Sequence, residues 1–454
     1  LIIVALVAGC YPANPQLQQR DATAGYRFEN CSSPGNTDDT FIVLAFSRGG
    51  TRAAAFSFGA LEEIHATPLP GDPPRTLLDE VDMISSVSGG SFTAAYYGLY
   101  RDKIFDPGEY ERRFLKKNIE AQLILSALNP INWVLFLSPY YSRIDMAAQR
   151  YDDLLFKGHT FGDLARAHQR PFIQLNSTDM SQGSRFEFTQ DQFDLLYSDL
   201  SQVKIARGVA ASSAFPGLLC PLTIKNYPKA ADFRLPVWVE LAKGDLAVNP
   251  RRYKHAQDVD QYVHDPNKRF IHLLDGGLAD NIGLRGPWYS LESTDKLSTQ
   301  SLSLMQKINQ GKIKKLVVIA VNAKPSDDAG LDKRESTPGI FSVLMATSSA
   351  PMANYSFDTV ELMRKSLEQI KKDQEGDPSN SSWKNLKPYF VELSFEAVQD
   401  ETTRRKLQSL GTNYSLKPEE IDLLRCTARQ QLKNSPVYQQ LLRDLAADHP
   451  TTQP

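Results

Sequence analysis

Much of what marks common protein classes is scarce in this chain. Only four cysteines occur in 454 residues, Cys10, Cys31, Cys220 and Cys426. Their spacing fits no metal-ligand pattern, and they are too sparse for a disulfide framework. No apolar run reaches the roughly 20 residues that a membrane-spanning helix takes. The net charge is −2, which gives no global attraction to nucleic acid. Neither a Gly-Lys-Ser/Thr phosphate loop nor a G-x-G-x-x-G dinucleotide turn is present, and there are no repeats or heptads. What is left is an ordinary globular composition, 41% hydrophobic and 23% charged. The length suits one large domain with extensions, or two or three domains.

The most informative stretch runs from Asp82 to Phe92. Asp82 to Val87 reads as a short buried strand, Gly89-Gly90 breaks it, and Ser91 to Tyr100 continues as a helix rich in small residues. A hard strand-to-helix turn exposes its turn residue at the carboxyl edge of a sheet. That residue is Ser88, in the frame Ser86-x-Ser88-x-Gly90, a nucleophile-elbow pattern whose first glycine is replaced by serine. A serine hydroxyl is a poor nucleophile at neutral pH, so a base and an oxyanion site are needed elsewhere.

Two further stretches supply candidates. Phe41 to Phe46 is an apolar run of strand length, which enters Ser47-Arg48-Gly49-Gly50-Thr51-Arg52-Ala53 and then a helix from Ala53 to Ile64. A glycine turn between strand and helix points backbone N–H groups outward at a helix amino terminus. Without the phosphate-loop residues, such a turn suits the oxyanion of an acyl-transfer intermediate. Phe270 to Leu274 is a strand ending in Asp275-Gly276-Gly277, and an aspartate there is expected to face the same edge as Ser88.

The rest of the chain is organised around these blocks. Pro171 to Asn176 and Arg185 to Phe188 read as strands, and Ala206 to Pro216 as a tightly packed helix and turn. Asn226 to Lys268 is polar and irregular, an insertion on the core. Ile104 to His168 holds a charged helix from Glu109 to Asn118 and two apolar runs, Leu123–Leu128 and Trp133–Leu137, cut by Pro130 and Pro139. These read either as core-packing helices, the favoured expectation, or as an interfacial surface presenting Trp133 and Phe136 to lipid. Lys314 to Asn322 is a buried strand of the kind found in parallel sheets. Ser326 to Thr337 is a polar loop, Asp358 to Lys371 an amphipathic helix and Tyr389 to Leu393 a last strand. A helix from Pro418 and another after Ser435-Pro436 follow.

Three blocks in one order, Arg48-Gly49-Gly50-Thr51-Arg52, then Ser86-x-Ser88-x-Gly90, then Asp275-Gly276-Gly277, resemble the patatin-like phospholipase family over residues 40 to 325. The segments Ala210–Pro216 and Asn176–Asp179 also resemble it. The resemblance implies an α/β three-layer sandwich with a mainly parallel central sheet, here carrying a helical C-terminal extension. It implies a lipid acyl hydrolase with Ser88 as nucleophile and Asp275 as its base. Gly49, Gly50 and Thr51 would supply oxyanion N–H donors, with Arg52, Gly90, Gly276 and Gly277 supporting the turns. The substrate implied is a phospholipid or related acyl ester, with no cofactor and no metal. Two departures stand out: Ser86 occupies a usual glycine position, and Arg48 and Ala53 flank the oxyanion turn where glycines are common. The alternatives are an esterase or thioesterase for soluble acyl substrates, or a non-catalytic envelope lipoprotein that keeps the fold as a binding module.

The start of the chain has its own signal. Leu1 to Val7 followed by Ala8-Gly9-Cys10 resembles the lipobox of bacterial lipoproteins, in which the cysteine is acylated. Residues 1–9 are then a signal-peptide remnant and 10–39 a tether. Residues 40–325 form the catalytic core, with insertions at about 104–168 and 226–268, and 326–454 form a C-terminal strand and helical extension. The expected location is the bacterial envelope, anchored by lipid at the outer membrane and in contact with a membrane surface. A histidine-free dyad is also expected. After Asp275 the only histidine is His449 in a polar tail, and His272 lies at an odd offset from Asp275, on the other strand face. An aspartate with a pKa near about 4 is ionised at neutral pH and needs no histidine.

Overall fold

The computed structural model describes residues 14–448 apart from 34, 71–73, 130–132, 134, 136–140, 217–218, 293–303, 326–334, 377–382 and 384. Cys10 and residues 1–9, Phe136 and His449 lie outside the described residues, as does most of the polar loop expected at 326–337.

The apolar runs become strands. They are β1 (Thr40–Phe46), the short hairpin β2 (Pro68–Leu69) and β3 (Arg75–Thr76), β4 (Val81–Val87), β5 (Phe172–Asp179), β6 (Ser184–Glu187), β7 (Leu222–Lys225), β8 (Phe270–Asp275), β9 (Lys315–Asn322) and β10 (Lys387–Ser394). The main sheet has the order β10-β9-β1-β4-β5-β8-β7, with β6 paired to β5. From β10 to β5 all neighbours are parallel. β8 and β7 then run antiparallel. The helices that bear on the site are α1 (Gly50–Ala66), α2 (Gly89–Tyr100), α3 (Ile119–Leu128), α4 (Ile205–Ser212), α5 (Pro250–His264), α6 (Ile340–Gly376), α7 (Pro418–Asn434) and α8 (Pro436–Asp448).

Alternation along the central strands explains the layers. Val317, Ile319 and Val321 join one apolar core with Ala53, Phe56 and Leu61 of α1 and Ile421, Leu424 and Leu432 of α7. Leu316, Val318 and Ala320 join a second with Val360, Met363, Leu367 and Ile370 of α6. A sheet buried on both faces by helices is the arrangement that continuous apolar strands require. At its foot, the Asp82 carboxylate accepts the Ile42 N–H at 2.7 Å and pairs with Arg170 at 2.6 Å, locking β1, β4 and the start of β5 together.

Several expectations need correction. Residues 14–33 are not a loose tether: Asn14, Tyr26, Arg27 and Cys31 are buried. The Tyr26 hydroxyl bonds to both backbone groups of Ile173, and Arg27 pairs with Asp194 at 2.7 Å. The insertion at 226–268 is not irregular, because Asn249 caps α5 and Pro250 opens it. The charged helix expected at Glu109–Asn118 is a short π-helical turn at Glu111–Leu115. The helix expected at Asp358–Lys371 is far longer, running from Ile340 through Pro351 to Gly376. α3 packs only Ile119 and, in part, Leu123 against the core, and leaves Ile124, Leu125 and Leu128 exposed, as is Trp133 beyond it. Among the described residues, no helix is long and apolar enough to cross a membrane. Cys31, Cys220 and Cys426 are all free.

Candidate active site

Ser88 sits where β4 turns into α2, at φ 51° and ψ −116°. A residue with a Cβ rarely adopts this conformation, and the surroundings must impose it. They do so with hydroxyls. The Ser88 N–H donates to Ser212 Oγ at 2.9 Å, and Ser212 Oγ donates to the Asn176 carbonyl at 2.6 Å. Ser91 Oγ lies 2.9 Å from Ser212 Oγ and bonds to Ser86 Oγ at 3.2 Å, which in turn donates to the Gln174 carbonyl. Ser86 therefore stands in the glycine position without strain and ties the elbow to β5.

The two glycine turns interlock. The Gly90 N–H donates to the Ser47 carbonyl at 3.2 Å. Gly89 passes so close to the Gly50 carbonyl that any Cβ would overlap it. α1 begins at Gly50, three residues before the expected start, so the glycine pair forms the first turn of the helix and presents first-turn N–H groups. Among the described residues, the N–H groups of Gly49 and Gly50 have no partner, whereas that of Thr51 donates to the Asn413 carbonyl at 3.0 Å. Thr51 was expected to be the third oxyanion donor, but its amide is already committed.

Asp275 reaches Ser88 by a route opposite to the expected one. β8 is antiparallel to β5, so its carboxyl end would lie at the wrong edge of the sheet if the strands were level. β5 instead runs on past β4: Asn176 pairs with Val87, and Ser177, the next residue, pairs with Asp275. β8 therefore descends from above and ends beside the elbow. The Asp275 N–H donates to the Ala214 carbonyl at 3.0 Å, so the turn after α4 clamps both Ser88 and Asp275. Asp275 Oδ1 accepts the Gly277 N–H at 2.8 Å, and Gly276 lies against the Asn176 carbonyl.

The carboxyl does not have the ordinary pKa expected from sequence. Burial pushes Asp275 up, and the Arg48 charge, the Gly277 N–H and the Ser88 hydroxyl pull it back. Both partners are nearly enclosed, Ser88 being 4% exposed and Asp275 2%. Arg48 packs its guanidinium 4.9 Å over the Phe215 ring and donates to Met352 Sδ at 3.1 Å. It makes no ion pair among the described residues. Its charge instead acts on the Asp275 carboxylate.

A family model described as patatin-like phospholipase matches residues 44–288. The chain belongs to the patatin-like phospholipase family. No curated protein matches it. Among solved structures it is similar to human GIVD cytosolic phospholipase A2, at 12% identity over 91% of this chain and 61% of that one, with a TM-score of 0.42. It is similar to the same enzyme in complex with methyl gamma-linolenyl fluorophosphonate, at 12% identity over 99% and 63%, TM-score 0.45. It is also similar to VipD from Legionella pneumophila, at 12% identity over 90% and 67%, TM-score 0.32. The chain spans about three fifths of the length of the cytosolic phospholipase A2 structures.

Part of this patatin-like site comes from beyond the matched segment. Arg52 is buried and donates to the Ala323 carbonyl at 2.9 Å, to the Leu410 carbonyl and to Thr412 Oγ1 at 2.9 Å. Arg52 was expected to shape the turn; it also fastens the stretch between Leu410 and Asn413 over it. Tyr414 follows, its ring edge-on to Phe92 at 6.0 Å and its hydroxyl facing Ser88, Ser213 and Tyr151. No sequence pattern marks that stretch. Two of the described histidines lie in other settings: His272 is exposed and 2.9 Å from Thr223 Oγ1, and His255 is stacked between Trp238 and Tyr289 with burial pushing it down to about 3. Among the described residues, no group of three His, Cys, Asp or Glu side chains could hold a metal ion.

Proposed function

We propose that the protein is a lipid acyl hydrolase of phospholipase A or lysophospholipase type, cleaving carboxylic esters through an acyl-enzyme on Ser88. The observation that carries this reading is the meeting of three features: a strained serine at a strand-to-helix turn, a buried carboxylate against it, and unpartnered Gly49 and Gly50 amides beside it. Asp275 takes the Ser88 proton as Oγ attacks the ester carbon. The amides of Gly49 and Gly50 hold the oxyanion, and Asp275 returns the proton to the departing alcohol. Water then attacks the acyl-enzyme by the same route.

The substrate side of the proposal is a bilayer. α3 exposes Ile124, Leu125 and Leu128, and Trp133 extends that face. Its first residue donates its N–H to the Tyr414 carbonyl at 3.0 Å, so the apolar face begins one hydrogen bond from the site. Aliphatic side chains ending in an indole suit the boundary between headgroups and acyl chains. From sequence alone, an acylated Cys10 would add an anchor at the outer membrane of a bacterial envelope.

The test is release of fatty acid from mixed phospholipid vesicles. Turnover should vanish equally in Ser88→Ala and Asp275→Asn while both variants keep their thermal unfolding midpoints close to wild type. A protein that binds vesicles but releases no fatty acid from any acyl ester would support the binding-module alternative instead.

A further inference from the structure

The reach of the C-terminal extension into the site has a chemical consequence. Asn413 occupies the Thr51 amide, and the next residue places a phenol hydroxyl facing Ser88. The same hydroxyl faces two buried neighbours, Tyr151 and Ser213. A phenol hydroxyl held beside a nucleophile can donate to an acceptor that arrives during the reaction. An ester oxygen is such an acceptor.

We propose that Tyr414, outside the segment that matches the family, is a catalytic residue whose hydroxyl donates a hydrogen bond to the ester oxygen that departs as the acyl-enzyme forms. The inference rests on the Ser88–Asp275 reading above. The carbonyl oxygen of the substrate is assigned to the Gly49 and Gly50 amides. The departing oxygen must instead come within reach of Asp275, which returns the proton to it. Tyr414 stands on that side, close enough to the carboxylate for the negative charge to act on it.

The balance of the step is simple. Ser88 Oγ bonds to the ester carbon while its proton passes to Asp275. The tetrahedral carbon then breaks its bond to the alcohol oxygen, the electron pair stays on that oxygen, and the Asp275 proton moves to it. Tyr414 keeps its own proton throughout and only stabilises the charge in transit. Burial, with the Asp275 charge added, pushes the phenol up to about 12, so it remains a donor at neutral pH.

The experiment compares kcat/KM, which reports acylation, for the full chain and for Tyr414→Phe. The two substrates are a glyceryl ester and a p-nitrophenyl ester of one fatty acid. Phenylalanine keeps the ring against Phe92, and thermal unfolding checks the fold. A hydrogen bond to a developing charge predicts about a ten- to hundredfold loss on the glyceryl ester. The p-nitrophenyl ester, whose departing oxygen needs no proton, should lose less than about threefold. A series of substituted phenyl esters should show a steeper dependence on leaving-group basicity in the variant. An unchanged glyceryl rate, or an equal loss on both esters, overturns the assignment, the second result marking a merely structural role. If Ser88→Ala abolishes both activities but Tyr414→Phe spares them, only the role of Tyr414 fails. If wild type cleaves neither ester, or Ser88→Ala still cleaves them, the dyad itself falls.

Discussion

The conformation of Ser88 makes a prediction about stability that is separate from catalysis. At φ 51° and ψ −116°, a side chain with a Cβ costs roughly 1–3 kcal/mol. Ser88→Ala removes the hydroxyl but keeps the Cβ and the strain. Ser88→Gly removes both, at the expense of about 0.5–1 kcal/mol of extra chain entropy in the unfolded state. The backbone bonds are the same in each variant: Ser88 N–H to Ser212 Oγ at 2.9 Å and Ser91 N–H to the Ser88 carbonyl at 3.0 Å. The lost contact with Asp275 is also common to the pair and cancels. The glycine variant should therefore be the more stable by roughly 0.5–2 kcal/mol, although neither turns over substrate. Urea unfolding of the two proteins, followed by fluorescence under one set of conditions, measures the difference directly. An alanine variant as stable as the glycine variant, or more so, would show that the elbow holds no strain.

Two further outcomes follow from the same geometry. Arg48 is a charge holding the buried Asp275 toward its ionised form, the form in which the proposed mechanism uses it, so Arg48→Met raises the carboxyl further. The acid limb of the kcat/KM profile, already above the usual carboxylate range in wild type, should then move to higher pH and activity should recover in alkali; a limb that stays put or moves down would show that Arg48 does not act on the base. Replacing exposed Leu125 and Leu128 together by aspartate should change stability by no more than about 1 kcal/mol, yet cut sedimentation with phospholipid vesicles and turnover on them at least about tenfold while sparing a soluble ester. Unchanged vesicle binding would remove α3 from the interface.

The two strand-to-helix turns at Gly49-Gly50 and Ser88 were legible because each is a local pattern: an apolar run, a glycine break and a run of small residues. Asp275 was legible for a weaker reason. Its strand could be read, but not the direction in which the strand runs, and the site forms only because β5 overshoots β4 by the length needed to receive an antiparallel neighbour. α3 shows the limit of hydropathy. A run such as Leu123–Leu128 records avoidance of water, not whether protein or lipid replaces it. Residues 14–33 show the converse, since a polar composition reads as tether, while Asn14, Tyr26 and Arg27 are buried by bonds to partners far along the chain.

Nothing local could have revealed Tyr414. Its stretch has no period and no motif, and its position is set by partners far away in the sequence: the Thr51 and Ile119 amides and the Arg52 side chain. Arg52 sits in the first turn of α1 with its guanidinium buried, and a buried guanidinium must have its donors satisfied. The Ala323 carbonyl just past β9 takes the Nε–H, and the Leu410 carbonyl and Thr412 hydroxyl take one N–H from each terminal nitrogen. The same helix is gripped farther along by α7, where Arg425 pairs with Glu62 at 2.6 Å and reaches Glu111 at 2.8 Å. The Gly49-Gly50 turn is thus bonded to a segment outside the matched family core, and Arg52 helps hold that segment over the turn. Loosening either one is expected to disturb Gly49, Gly50 and Tyr414 together, so the extension belongs to the proposed site as fully as the strand that carries Ser88.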